Sequence, residues 1–254
     1  MRRVVITGLG TVSPIGNSVD AFWDSVLTNK SGIAPIEGFD ASETGVTVAG
    51  EVKGFDAREE LGRKDSQRMD KFSQFGVAAS KEAVEMSGYD ISSNPFNVGV
   101  MVSSGIGGLH AIQNGILKMK DKGPKRVPPL FVPLTIGNMA AGNISMQFGA
   151  RGISLDIVTA CASATNAIGE AFIKIQNGLL DACIAGGAES TINEIGISGF
   201  AALTALSTNE DPAKASRPFD KDRDGFVMGE GAGIVFLESL ESAQARNATI
   251  YGEV

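Results

Sequence analysis

The sequence predicts an α/β fold: one layered domain over residues 1–254 with a mixed, mainly parallel sheet. Three observations predict it. Short β-branched runs alternate with helical segments along the whole chain, the pattern of strands joined by crossover helices. A chain of 254 residues, 43% hydrophobic and 20% charged, can bury a large core. No short repeat, low-complexity tract or linker divides it.

Arg3–Gly8 is the first strand, and Val19–Leu27 a helix with Ser18 as its N-cap. Residues 30–62, rich in Gly, are mixed loop and short strand. A helix over Gln67–Ser87 ends at Gly88, where a left-handed residue is expected. "NVGVMVSSG" is a buried strand, with a helix starting near Gly107. Residues 127–150 carry no formal charge, but Pro128, Pro129, Pro133, Asn138, Asn143 and Gln147 argue against a membrane span. A turn and a buried helix, Leu134–Phe148, fit better. Strand Ile153–Val158, helix Ala162–Gln176, strand Ala182–Ala185, the strand "GIVFLESL" and a short helix to Arg246 follow. "NATIYGEV" opens a further β-like run, and the expectation is that the chain has been cut inside it.

A formal charge of −7 disfavours nonspecific nucleic-acid binding, which needs cations for phosphates. Two cysteines, Cys161 and Cys183, make neither a disulfide framework nor a zinc quartet. The opening "MRRVVITGLG" imitates a signal peptide, but glycines interrupt its apolar run and no cleavage site follows. A reducing, cytoplasmic setting is expected.

Gly8, Gly10 and Ser13 nearly spell a dinucleotide fingerprint, but Ser13 and Pro14 break it. A tight strand-to-helix turn is the reading. Asp220, Asp222, Asp224 and Gly225 imitate a calcium loop, yet Gly231 stands where its bidentate glutamate belongs. That segment reads as a charged loop feeding the next strand. "SSGIGG" and "AGGAES" place glycines after two apolar runs, where backbone approaches backbone or a ligand. His110, the only histidine, reads as structural. Cys161 lies at the start of a predicted helix among small residues, where N–H groups and the dipole favour a thiolate. These residues alone leave two readings open, a nucleophile or an inert buried cysteine. Cys183, in a strand, reads as core.

"VTACASA", "SSGIGG", "FVPLTIGNMAAGNISMQFGARG", "AGGAES" and "ALSTNEDPAKASRPFDKDRDGFVMGEGAG" resemble the β-ketoacyl-acyl carrier protein synthases, most nearly the elongating bacterial type II members. The resemblance runs along essentially the whole chain. It implies a thiolase-like αβαβα half, the N-terminal one of two related by a pseudo-twofold, with the C-terminal half absent. It also implies that Cys161 accepts an acyl chain from the phosphopantetheine of acyl carrier protein, with no cofactor of the enzyme's own. Malonyl-carrier protein is then decarboxylated, and its carbanion attacks the acyl thioester.

By the same resemblance Ile106 lines the acyl pocket, and Phe131 closes the pocket of the other subunit in a homodimer. Lys64 and Arg68 meet the acidic carrier protein, although Gln67 and Asn209 stand where further basic residues are usual. The family's two histidines, lysine and second oxyanion amide belong to the other half. The chain alone is therefore expected to be unable to condense. It is expected to expose a large apolar face and to self-associate. The competing readings are a non-catalytic module that pairs with a separate half or itself, and a polyketide-type ketosynthase.

Overall fold

The computed structural model describes residues 1–254. Strand β1 (Val4–Val12) leads to helix α1 (Val19–Leu27), where Ser18 accepts from Ala21 N. A two-residue pair, β2 (Ala34–Pro35) and β3 (Val48–Ala49), precedes α2 (Ala57–Leu61), α3 (Arg63–Ser66) and α4 (Lys71–Ser87). Then come β4 (Val98–Ser103), α5 (Leu109–Lys122), α6 (Phe131–Thr135), α7 (Met139–Phe148) and β5 (Ser154–Leu155). Helix α8 (Ser163–Gln176), β6 (Ala182–Glu189), α9 (Glu194–Ala202), β7 (Gly231–Ser239), α10 (Leu240–Ala245) and β8 (Gly252–Glu253) complete the order.

Six strands form one sheet in the order β5-β4-β6-β7-β1-β8. Alternation along each strand sorts side chains onto two faces. Val98, Val100, Val102, Ile184 and Phe236 meet Phe72 and Phe75 of α4 and Ile144 of α7. Met101, Cys183, Ala185 and Leu237 meet Ala167, Ala171 and Ile175 of α8. Helix α4 lies on β1 because Gly8 and Gly10 have no side chains. A Cβ there would stand 2.0 Å from the Ala83 carbonyl oxygen and 1.9 Å from that of Ala79.

The mixed α/β sheet is as expected, but its mainly parallel character is corrected. Only β4–β5 and β4–β6 are parallel, while β6–β7, β7–β1 and β1–β8 are antiparallel. The chain leaves β6 at Glu189 and returns opposite it at Gly231, so residues 190–230 start and finish at one end of the sheet. No crossover brings the chain to the other end, and β7 has to run back along β6.

Several boundaries also differ from the sequence reading, β6 running to Glu189 rather than Ala185 among them, and four have a clear local reason. Gly8 and Gly10 do not turn the chain; β1 runs through them to Val12. The helix expected from Gln67 begins at Lys71, because Asp70 is extended (ψ 161°) and its carboxylate takes Ala111 N. The helix expected over Leu134–Phe148 breaks at residues 136–138. There the Thr135 carbonyl accepts from Gly108 N, 3.1 Å, and Met139 N turns to the Ile136 carbonyl. The strand expected over Ile153–Val158 pairs only at Ser154 and Leu155. Beyond them Ser103 Oγ accepts from Ile157 N and Asp156 Oδ1 from Ser104 N. Helix α9 was not anticipated; Asn193 caps it by accepting from Gly196 N.

Helix α8 is buried along one stripe, Ser163, Ala167, Ala171 and Ile175, while Ile173 on its outer side is exposed. No helix is long and apolar enough to cross a membrane. Two acidic residues of the "DKDRDG" loop are engaged by donors of this chain. Asp224 takes Ser207, Thr208 and Arg217, and Asp220 accepts from Asp222 N.

Candidate active site

Cys161 follows a tight turn at Thr159–Ala160, with Ala160 left-handed at φ 52°. Ser163 Oγ closes that turn, accepting from Thr159 N at 2.9 Å and donating to the Ala160 carbonyl at 2.7 Å. Asn166 Nδ2 donates to Thr159 Oγ1 at 2.6 Å. The first turn of α8 thus holds the cysteine segment, and the thiol is exposed rather than buried. The N–H groups of Ala162 and Ser163 are spent on the Thr159 and Ala160 carbonyls. Those of Ala164 and Thr165 stay free at the positive end of the helix. Cys183 differs in every respect: it is buried, and burial pushes its thiol up to about 12.

The Cys161 thiol opens into a cavity of about 630 Å³ that it shares with Ile106, Ala164, Glu189, Phe200, Phe226 and Met228. Gly187 lets the start of α8 sit this close to β6, since a Cβ there would stand 2.7 Å from Ala164 Cβ. Ile106 belongs to a loop fixed from beneath. Glu189 Oε2 accepts from Gly105 N at 2.8 Å and Ile106 N at 3.2 Å, and its Oε1 accepts from Ser104 Oγ at 3.0 Å. Burial raises the carboxyls of Glu189 and of Asp156, which binds the same loop. No histidine or lysine lines this cavity.

Phe131 is elsewhere. It packs against Gly115 and lines a second cavity, about 440 Å³, with Asp70, Lys71 and His110. Lys64, in α3, and Arg68, just after it, are exposed and make no ion pair, whereas Gln67 and Met69 beside them line that second cavity. The sequence-derived residues therefore form two groups, Cys161 with Ile106 and Phe131 near the Lys64–Arg68 segment.

Sequence reasoning passed over the buried polar groups. Glu230, fully buried, accepts from Lys71 Nζ at 2.6 Å, Ser190 Oγ at 2.7 Å and Val52 N at 3.0 Å. Ser190 Oγ gives its proton to Glu230, so His110 Nε2, 3.3 Å away, carries the hydrogen that Ser190 accepts. Burial lowers the His110 pKa, keeping the ring neutral, and it stands apart from Cys161. The only available signal was the position of Glu189 and Ser190 in "AGGAES", at the end of a buried strand.

Asp70 supplies a pH-dependent prediction. Burial raises its carboxyl to about 6, although it accepts from Ala111 N at 2.7 Å. Between the unfolded value of 3.8 and about 6 the folded state keeps a proton that the unfolded chain has lost. Stability contributed by the neutral acid is complete below 3.8 and falls as pH rises through 6, by at most about 3 kcal/mol. Asp70→Asn, which cannot ionise, is expected to flatten this slope and to be the more stable protein at pH 7. Urea denaturation from pH 4 to 7.5 checks it.

The sequence profile described as "Beta-ketoacyl synthase, N-terminal domain" matches residues 1–243. The chain belongs to the β-ketoacyl synthase family. It is 49% identical over 255 residues to a 3-oxoacyl-[acyl-carrier-protein] synthase 2 of Vibrio cholerae, covering 100% of this chain and 62% of that relative. Among solved structures, the ishigamide ketosynthase/chain length factor superposes with a TM-score of 0.92 at 31% identity, covering 100% of this chain and 62% of the other. A type II polyketide acyl-carrier protein in complex with its ketosynthase superposes at 0.87 with 30% identity, covering 99% and 62%. This β-ketoacyl synthase chain thus spans about 62% of the length of these proteins. Its Cys161 cavity presents an exposed thiol at the start of α8 and largely apolar walls. It presents no cationic or imidazole group.

Proposed function

We propose that this chain carries the acyl-accepting step of a 3-oxoacyl-[acyl-carrier-protein] synthase, with Cys161 as nucleophile. The observation that carries the reading is the exposed Cys161 thiol at the start of α8, opening into a 630 Å³ cavity with apolar walls. The thiolate attacks the carbonyl of an acyl thioester, and free N–H groups at the helix start stabilise the oxyanion. The carrier's phosphopantetheine thiolate then leaves, taking up a proton, and the acyl group stays on Sγ. No separate cofactor enters this step. Decarboxylation of malonyl-carrier protein and carbon–carbon bond formation need groups to stabilise an enolate. The cavity has no histidine or lysine for this. Condensation is therefore assigned to the N-terminal half, residues 1–254, working with a further half that supplies them.

The 49% identity to a 3-oxoacyl-[acyl-carrier-protein] synthase 2, against 30% to the type II polyketide ketosynthase structure, favours fatty-acid elongation. Acyl carrier protein, an acidic partner in this reading, meets the unpaired cations Lys64 and Arg68, with Arg58 and Arg63 of α2 and α3 alongside. A homodimer is supported by β5. This edge strand has an unpaired outer side, with Leu155 (41% exposed), Val158 (59%) and Met146 (70%) around it. In such a dimer Phe131 would serve the neighbouring pocket, which is consistent with its distance from the cavity of its own Cys161. Two unpaired cysteines suit a cytoplasmic enzyme.

Intact mass after incubation with a long-chain acyl-carrier protein tests the reading. One added acyl group is expected, and none in Cys161→Ala. Failure to acylate while Cys161 still reacts with iodoacetamide would overturn it.

A further inference from the structure

We propose that Glu189 is a positioning residue that sets acyl-chain acceptance, by fixing the Ser104–Gly107 loop and thereby holding Ile106 against the Cys161 cavity. The proposal rests on Cys161 being the acyl acceptor, and its geometry is independent of the mass experiment. One carboxylate takes three donors from three successive residues, Ser104 Oγ, Gly105 N and Ile106 N. Ser104 Oγ in turn accepts from Gly107 N at 2.9 Å, so the whole loop is tied to this side chain. A second tie reaches the segment that leads to Cys161. Asp156 Oδ1 accepts from Ser104 N at 3.2 Å, and Ser103 Oγ accepts from Ile157 N at 2.8 Å. Glu189 stands at the end of β6, paired with Gly231 of β7 and two residues beyond the last pair with β4, Ser103 with Gly187. It is the only acceptor that Gly105 N and Ile106 N have.

Without this acceptor, two backbone N–H groups and a hydroxyl lose their partner together, and the loop must find others. Ile106 then drifts from the cavity wall. A small group on Cys161 needs little of the cavity wall and registers the change weakly, whereas a long chain registers it strongly. A role confined to general stability would lower both alike.

N-alkylmaleimides of increasing length, from methyl to octyl, read this on the full chain without any carrier protein. In each, Cys161 Sγ adds across the maleimide C=C bond and the adjacent ring carbon takes up a proton, leaving the alkyl group on the succinimide nitrogen; a Cys161→Ala control measures background. In the wild type the alkylation rate is expected to rise about two- to fourfold per methylene while the chain finds apolar wall. Glu189→Ala is expected to reduce this to roughly 1.5-fold or less, with the N-methylmaleimide rate kept within about twofold. Ile106→Ala should flatten the series likewise. Glu189→Gln should retain the slope: its carbonyl oxygen can still accept from Gly105 and Ile106, and its amide can donate to Ser104 Oγ.

If Glu189→Ala does not fold, Glu189→Asp serves. It keeps the charge and withdraws the carboxylate from the loop, and should flatten the slope in a folded protein. A slope unchanged in Glu189→Ala or Glu189→Asp but flattened by Ile106→Ala would overturn the proposal. So would an equal loss for every probe, N-methylmaleimide included, or a Glu189→Gln variant no better than Glu189→Ala. If the series behaves as expected while carrier-bound acyl groups fail to transfer, the acyl-transfer reading falls and the positioning role stands. If transfer proceeds and the slope ignores Glu189, the positioning role falls alone.

Discussion

Gly10→Ala is expected to lower the unfolding free energy by more than about 4 kcal/mol, among the largest effects of one methyl group. The added Cβ would stand 1.9 Å from the Ala79 carbonyl oxygen and 2.9 Å from the Ala83 nitrogen, both backbone atoms of α4. A flexible side chain could swing away; a helix backbone cannot. Relief requires α4 to lift from β1, and α4 carries Phe72, Phe75, Ala79 and Ala83 into the larger core. Gly8→Ala meets the same helix one turn on, 2.0 Å from the Ala83 carbonyl oxygen. Gly233, opposite Thr11 in the neighbouring strand, is the internal control. Nothing lies within 4 Å of its would-be Cβ, so Gly233→Ala should be close to neutral. Urea midpoints of the three variants decide the matter. Equal, small losses in all three would show that α4 does not rest on bare backbone.

Lys71→Met is expected to cost about 3–5 kcal/mol by leaving the Glu230 carboxylate uncompensated. Glu230 has no exposed side-chain surface, and Lys71 is its only cationic partner, at 2.6 Å. The remaining donors, Ser190 Oγ and Val52 N, are neutral. Glu230→Gln has no charge to compensate: its carbonyl oxygen can still accept from Val52 N, and its amide can donate to Ser190 Oγ with that bond reversed. The double variant Lys71→Met/Glu230→Gln should therefore recover most of the loss. A double-mutant cycle on denaturation midpoints measures the coupling, and additive losses would sink the idea.

Local rules explain what the sequence made legible. Ser18 caps α1, Gly88 ends α4 at φ 60°, and the apolar run of β4 is buried at every residue, because each feature depends on a few neighbouring residues. Strand direction was not legible. The pairing of Glu189 with Gly231 that turns β7 antiparallel has no counterpart in periodicity. The break after α6 was hidden for a similar reason, since it comes from Gly108 N reaching the Thr135 carbonyl from a distant loop. At the site, the helix start and small neighbours of Cys161 were visible, but only family resemblance favoured the nucleophile over a core cysteine. Lys71 and Glu230 are 159 positions apart, so their partnership needed the fold to be seen.

The place of β1 in the sheet also governs how the chain folds during synthesis. Its two strand partners, β7 and β8, lie at residues 231–239 and 252–253. At roughly 5 to 20 residues per second, about 11 to 45 s separate translation of Val12 from that of Ser239. Through that interval the first-made strand has no edge to pair with. Helix α4 is translated far sooner, and its backbone seats directly on Gly8 and Gly10. A docked β1–α4 unit would shield the nascent strand from other ribosome products until the sheet can close over it.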